Sequence, residues 1–297
     1  MNTILMTRRT AMTKFAYFGT PYVARDTLAL LFEAGYIPSV VITSPDSLRG
    51  RGMVLTPCET RVWARGHAIR VLTPGTLDDA FMADLAAYGC EYGIAVAYGK
   101  IIPQAVISAF PKGILNVHYS LLPKYRGASP VEMALWNGDT VTGVTIQQMV
   151  FELDAGDVLS QQEIAIESND TTLTLRPRLI RAGAELLIQT LPAFIDGTAQ
   201  RTAQDASQAT RAKKIKKEEG ELTLAPTSDA QKNWNTYRAL RESPGTYFFA
   251  EKEGKRIRVK ITDATFSNGV FTPIRITPEG KSEQDFSYLA QAGWKPL

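Results

Sequence analysis

The sequence predicts an α/β protein, with a doubly wound, mostly parallel sheet followed by a small C-terminal β domain. Two observations carry the first part and one the second. Short apolar runs alternate with segments of helical spacing from Phe15 to Val117, the rhythm of strand, helix, strand. Two longer strand-like runs and one long helical segment follow. Beyond Thr210, β-branched and aromatic runs stand between glycine-containing turns, the pattern of a compact β unit. The 297 residues, 44% hydrophobic and 21% charged, suffice for one or two buried cores and exclude disorder as the main state.

Ala16-Tyr17-Phe18 is an apolar run ended by Gly19, and from Pro21 to Ala34 the spacing of Val23, Leu28, Leu31 and Phe32 predicts a helix. Val40-Val41-Ile42 repeats the strand signal, Glu59–His67 the helical one, Ile69–Leu72 another strand and Leu77–Tyr88 another helix. Ile94–Ala97 and Ile114–Val117 read as buried strands with a short helix, Pro103–Phe110, between them. Val144–Phe151 and Val158–Ile166 predict strands around the turn Asp154-Ala155-Gly156-Asp157, and Leu173–Phe194 a closing helix. Thr198–Thr210, rich in Ala, Gln and Thr, fits a linker. Tyr247–Phe249, Ile257–Ile261 and Val270–Ile276 are the strands of the tail. The expected organisation is an N-terminal extension at 1–13, an α/β domain at 14–196, a linker at 197–212 and a β domain at 213–297.

The longest early apolar stretch, Phe15–Phe18, is far short of a membrane span. Met1–Met12 lacks the apolar core and cleavage site of a secretory signal, and Met12 is a possible second start. Two cysteines, Cys58 and Cys90, make neither a disulfide framework nor a four-thiolate zinc site, so a reducing cytoplasm is expected. The net charge of +3 is uneven: from Arg211 onward 16 basic residues face 11 acidic ones, against 17 and 19 before it. That asymmetry points to an anionic partner. Its sharpest part, Arg211 with Lys213, Lys214, Lys216 and Lys217, runs into Glu218, Glu219 and Glu221, and taken alone it reads as a solvated charge run.

Phe18-Gly19-Thr20-Pro21 stands where a dinucleotide fold places its glycine fingerprint but lacks the second and third glycines, so dinucleotide binding is disfavoured. His67 and His118 are the only histidines and neither has metal-ligand spacing, so no metal is expected. The informative stretch runs from Asn116 to Pro130. Asn116 and His118 alternate at the carboxyl end of a parallel strand and share a face, at the edge where open α/β sheets take their ligands. An amide donor beside an imidazole forms a plausible oxyanion-stabilising pair for attack on a carbonyl carbon. Asp154, in the next glycine turn, is the best-placed carboxylate to support the ring. The residues alone also permit a structural histidine, a strand-end Asn116 and a turn-forming Asp154.

The chain resembles the folate-dependent formyltransferase superfamily. The likeness runs from about Phe15 to the C-terminus on Phe18-Gly19-Thr20-Pro21, Pro45-Asp46 with Gly50-Arg51-Gly52, Ala97-Tyr98-Gly99, Asn116–Pro130, Thr142–Thr145 and Leu153–Asp157. The resemblance implies 10-formyltetrahydrofolate as formyl donor, bound beside Ala97, Tyr98, Ser120, Leu121, Leu122 and Pro123. It implies Asn116, His118 and Asp154 as catalytic residues. Pro45–Met53 resembles the loop with which members acting on methionyl initiator tRNA engage its acceptor stem, which makes Arg49 and Arg51 tRNA contacts. The segment at Lys213–Glu221 resembles the family's interdomain junction, which turns Arg211, Lys213, Lys214, Lys216 and Lys217 into backbone contacts. The tail resembles the family's barrel-like, OB-type domain, although it is shorter, and the resemblance further implies a monomer. The competing acceptor is a nucleotide-linked amino sugar; a catalytically silent RNA-binding protein is the reading from another class.

Overall fold

The structure is a computed structural model and describes residues 13–49, 52–225 and 228–297. Arg51 and the extension up to residue 12 lie outside the described residues. In chain order the strands are β1 (Phe15–Gly19), β2 (Val40–Ile42), β3 (Ser47–Arg49), β4 (Val54–Thr56), β5 (Val71–Leu72), β6 (Tyr92–Val96), β7 (Ile114–His118), β8 (Arg126–Gly127), β9 (Val141–Gln148) and β10 (Val158–Ala165). They continue with β11 (Arg211–Ala212), β12 (Thr246–Lys252), β13 (Lys255–Ser267), β14 (Val270–Pro278), β15 (Gln284–Asp285) and β16 (Lys295–Pro296). The helices are α1 (Tyr22–Glu33), α2 (Glu59–Gly66), α3 (Asp79–Ala86), α4 (Gln104–Ser108), α5 (Pro130–Asn137), α6 (Thr172–Ile195), α7 (Ala230–Leu240) and α8 (Tyr288–Gln291). Two compact units divide the chain: one holds the residues up to His118 with Val144–Gln162 and Ile180–Ala206, the other Tyr119–Gly143, Glu163–Leu179 and Ser207–Leu297.

The first unit is built on a mixed sheet of order β10-β9-β7-β6-β1-β2-β5. β1 pairs in parallel with β2 and β6, β2 with β5 and β6 with β7, while β9 runs antiparallel to β7. Every residue of β1 and β6 is buried, the signature of a parallel sheet covered on both faces and the reason these segments read as unbroken apolar runs. Ala16, Phe18, Val40, Ile42 and Ala95 form one core cluster with Phe81, Leu85, Val106 and Phe110 from the helices and connections. The chain builds outward from β1 to β2 and β5, then returns to β6 on the other side of β1. That reversal opens a switch point at the carboxyl ends of β1 and β6, where Gly19 stands opposite Val96. A Cβ at Gly19 would lie 2.5 Å from Ala24 Cβ, so only glycine lets α1 start this close to the strand.

Differences from expectation are local. The strand expected at Val144–Phe151 starts at Val141 and stops at Gln148, because the next residues fold into the loop that carries Asp154. α3 spans Asp79–Ala86, its start set by Asp78, whose side chain accepts from the Phe81 amide. The Pro45–Met53 segment contains β3, which forms a hairpin with β4 just beyond it, paired from Ser47↔Thr56 to Arg49↔Val54. Leu48, Met53, Val54 and Leu55 are exposed on it, so no buried face announces it in the sequence.

In the second unit an antiparallel sheet of order β15-β14-β13-β12-β16 packs Phe248, Ala250, Val259, Ile261 and Ile276 against Trp234 and Tyr237 of α7. Asp229 caps α7 by accepting from the Lys232 amide. Neither α5 nor α7 was expected. Arg176, in the part of α6 belonging to this unit, donates to Glu132 of α5 at 2.6 Å and to Glu242 just after α7 at 2.8 Å. β11 pairs in parallel with β8, so Arg211 and Ala212, in the segment read as linker, are held in a ladder.

Candidate active site

Asn116 and His118 occupy the last part of β7 with one residue between them, and strand alternation puts them on the same face. Across the ladder they stand opposite Gln147 and Thr145 of β9. After β9 the chain makes a tight excursion: the Gln148 amide donates to the Asp157 carbonyl at 2.8 Å and the Met149 amide to Ile114 at 2.7 Å. Asp154 takes a left-handed conformation, φ +52°. Gly156 passes so near β9 that a Cβ there would lie 1.6 Å from the Gln148 carbonyl oxygen. Gln204 Nε2 donates to the carbonyls of Asp154 at 2.9 Å and Gly156 at 2.7 Å. The loop is thereby tied down at the residue it presents.

The result is convergence on one atom. Asp154 Oδ1 accepts from Gln147 Nε2 at 3.0 Å and from Asn116 Nδ2 at 3.3 Å, and His118 Nδ1 lies 3.6 Å away. His118 and Asp154 side chains are 6% and 9% exposed, so the charge acts where water screens it little. A carboxylate beside Nδ1 holds the imidazole in one orientation and stabilises an imidazolium formed during proton transfer. Asn116 spends one amide hydrogen on Asp154, and its amide carries a second that is able to donate to another oxygen. The three residues expected to act together from sequence are therefore brought together. Gln147 and Gln204 were not foreseen: glutamine on a strand reads as solvent-facing polarity, and nothing local in the sequence tells that Gln147 is 1% exposed.

The remaining expected site residues divide. Ala97, just after β6, is exposed with φ +44°, so its backbone is presented at the switch point. The Tyr98 ring instead belongs to the core, edge-on to Phe18 at 5.5 Å, and burial pushes its hydroxyl up to about 12. Its carbonyl accepts from Thr20 Oγ1 at 3.0 Å. In the second unit Ser120 is buried with its hydroxyl donating to the Lys124 carbonyl at 2.5 Å, Leu122 is buried, and Leu121 and Pro123 are half-buried. Arg49 closes β3, and Arg51 lies outside the described residues. Arg211, Lys213, Lys214, Lys216 and Lys217 are all exposed. Lys213 is paired with Glu219, whose carboxyl it holds below the usual range, while Lys214, Lys216 and Lys217 form no ion pair among the described residues. Among the described residues no group of three or more His, Cys, Asp or Glu side chains gathers as a metal site, and no helix is long and apolar enough to cross a membrane.

A switch-point sheet edge with an Asn, a His and an Asp meeting there defines a class that comparison with known proteins identifies. Residues 25–191 match the formyl transferase family, and the chain belongs to it as an enzyme of that kind. It is similar over most of its length to methionyl-tRNA formyltransferases. It is 38% identical to that of Lactobacillus johnsonii over 249 residues, 84% of this chain and 78% of the relative. With that of Macrococcus caseolyticus it shares 38% over 260 residues, 87% and 82% of the two chains. Among solved structures, an N-formyltransferase from Helicobacter canadensis, in complex with folinic acid and dTDP-3-aminofucose, superimposes with a TM-score of 0.65 at 19% identity. That match covers 86% of this chain and 89% of the other. Phosphoribosylglycinamide formyltransferase from Bacillus halodurans gives 0.50 at 22%, over 60% and 93%. These structural likenesses show the α/β formyltransferase fold.

Proposed function

We propose that the protein transfers the formyl group of 10-formyltetrahydrofolate to the free amino group of methionyl initiator tRNA. The observation that carries this reading is the meeting of Asn116, His118 and Asp154 on one carboxylate oxygen, in a chain similar over 84% of its length to a methionyl-tRNA formyltransferase. The amine nitrogen attacks the formyl carbon, forming the new C–N bond. Asn116 and protonated His118 donate to the oxyanion of the tetrahedral intermediate. Asp154 holds the ring and assists passage of the amine proton to the departing folate nitrogen, whose bond to the formyl carbon breaks. The donor is assigned to the backbone at Ala97 and Tyr98 and to Ser120, Leu121, Leu122 and Pro123.

The tRNA is assigned to Arg49 and Arg51, to Arg211, Lys213, Lys214, Lys216 and Lys217, and to a barrel-like tail formed by the antiparallel sheet. The reaction belongs in the cytoplasm, and the working form is a monomer. The test is transfer of labelled formyl from 10-formyltetrahydrofolate to methionyl initiator tRNA, with uncharged tRNA and a nucleotide-linked amino sugar in parallel. Label on the methionyl amine alone is expected, and single alanine variants of Asn116, His118 and Asp154 should lower kcat by roughly 10²–10⁴ without unfolding. Transfer to the sugar alone would keep the chemistry and overturn the acceptor; near-normal turnover in all three variants would overturn the catalytic assignment.

A further inference from the structure

The turn after β6 holds a conformation that its own residues do not favour. Ala97 has φ +44° and Gly99 φ +79°, and both are exposed. Glycine adopts such angles freely, but a residue with a Cβ is disfavoured there, so Ala97 stays left-handed only while its surroundings over-determine it. Tyr98 supplies one anchor through its buried ring. A ring held by packing fixes a position and leaves the flanking peptide planes to turn.

Thr20 and Lys100 supply the other anchors. Thr20 Oγ1 donates to the Tyr98 carbonyl at 3.0 Å. A hydroxyl has one hydrogen, so in the 3.2 Å contact of Thr20 with Ser44 Oγ the serine is the donor, and the Ser44 amide donates to the same Thr20 oxygen at 3.3 Å. One side chain thus joins the loops after β1, β2 and β6. Lys100 Nζ donates to the Pro74 and Gly75 carbonyls, each at 3.0 Å, and carries the tie on to the loop after β5. An ammonium directed onto two neutral carbonyls acts as a multiple hydrogen-bond donor whose charge strengthens each bond. The sheet order β6-β1-β2-β5 makes these four neighbouring strand ends. Neither side chain bonds to Asn116, His118 or Asp154 among the described residues, so the ties act on one wall of the crevice and not on the reacting groups.

We propose that Thr20 and Lys100 are positioning residues that hold the Ala97–Gly99 turn in its left-handed form and thereby set the affinity for the formyl donor. The choice of ligand rests on the assignment of the donor to the backbone at Ala97 and Tyr98; the tie itself does not. A ligand that binds only the held form of a turn loses affinity in proportion to the fraction of molecules that keep it. Removing a tie therefore raises the KM for the donor and leaves kcat, which is set by groups on β7 and the loop after β9.

The experiment takes the full chain through steady-state kinetics against 10-formyltetrahydrofolate at saturating methionyl-tRNA, and follows hydrogen exchange of the amides from Ala97 to Ile101. Thr20→Val keeps the shape of the side chain and removes the hydroxyl. It should raise the KM for the donor about tenfold, with kcat and the KM for methionyl-tRNA within about twofold. Thr20→Ser, which keeps the hydroxyl, should restore the KM. Lys100→Met keeps the unbranched stem and should raise the KM about threefold, less because Gly75 is exposed and its carbonyl can turn to water. Exchange at the turn should quicken in both. An unchanged donor KM in Thr20→Val and Lys100→Met would overturn the proposal, as would a fall in kcat as large as the rise in KM. If the unaltered protein transfers no formyl group from 10-formyltetrahydrofolate, faster exchange in both variants keeps the ties and the reading of the reaction falls; unchanged exchange then overturns both.

Discussion

Asp154 concentrates the demands of the site on one residue. Charge-assisted hydrogen bonds are shorter and stronger than neutral ones, and here one oxygen serves Gln147, Asn116 and the neighbouring imidazole. That geometry survives only while the loop returns its left-handed Asp154 to the end of β7, which Gly156 permits by passing against the Gln148 carbonyl. Gly156→Ala would drive a Cβ into backbone, and neither partner is a flexible side-chain tip. Roughly a 10²-fold loss of kcat is expected, since misplacement of about 1 Å costs that much, together with a lower melting temperature; kinetics and thermal unfolding check both. Asn116 and His118 were legible because a strand's period of two is simple to read. Gln147 was not, because its burial depends on β9 pairing with β7 and on the loop after β9 folding back to return Asp154 to it.

Elements with a continuous apolar signal were found close to their true bounds, and those held by other forces were missed. α5 has Pro130 as its first residue and Gly138, φ +75°, just past its last, but it is only eight residues long. α7 mixes its core side chains Trp234, Tyr237 and Leu240 with Gln231, Lys232, Asn235 and Arg238. Its polar positions are partly buried too, with Asn233 donating to Thr223 and Arg238 to Glu167, so helical amphipathicity is blurred. The sheet beneath α7 depends on Phe248, fully buried between β13 and the helix residues of its cluster. Phe248→Ala should cost about 3–5 kcal/mol through reduced burial and a cavity, seen as a lower denaturant midpoint for the transition of the C-terminal sheet.

At the scale of the molecule the division into compact units does not follow the order of the chain. Residues 119–143 and 163–179 group with the tail, drawn there by Arg176 binding Glu132 and Glu242 and by Trp234 Nε1 donating to the Ser168 carbonyl at 3.3 Å. The uneven charge acts at this scale as well. With cations along Lys213–Lys217, the KM for methionyl-tRNA should rise steeply with salt while that for the folate donor changes little; steady-state kinetics from low to high ionic strength check this, and equal slopes would contradict it. By itself the sequence determined the α/β class, the succession of buried strands and the Asn116, His118 and Asp154 set, because periodicity and local motifs are written in consecutive residues. Only the tertiary structure decided that Tyr98 is a core ring, that Gln147 donates to Asp154, and that Gln204 ties down the loop that carries it. Those outcomes depend on segments far apart in the chain, Phe18 with Tyr98 and Asp154 with Gln204, and on the loop after β9 folding back onto that strand, and burial and hydrogen-bond partnership of this kind leave no local trace.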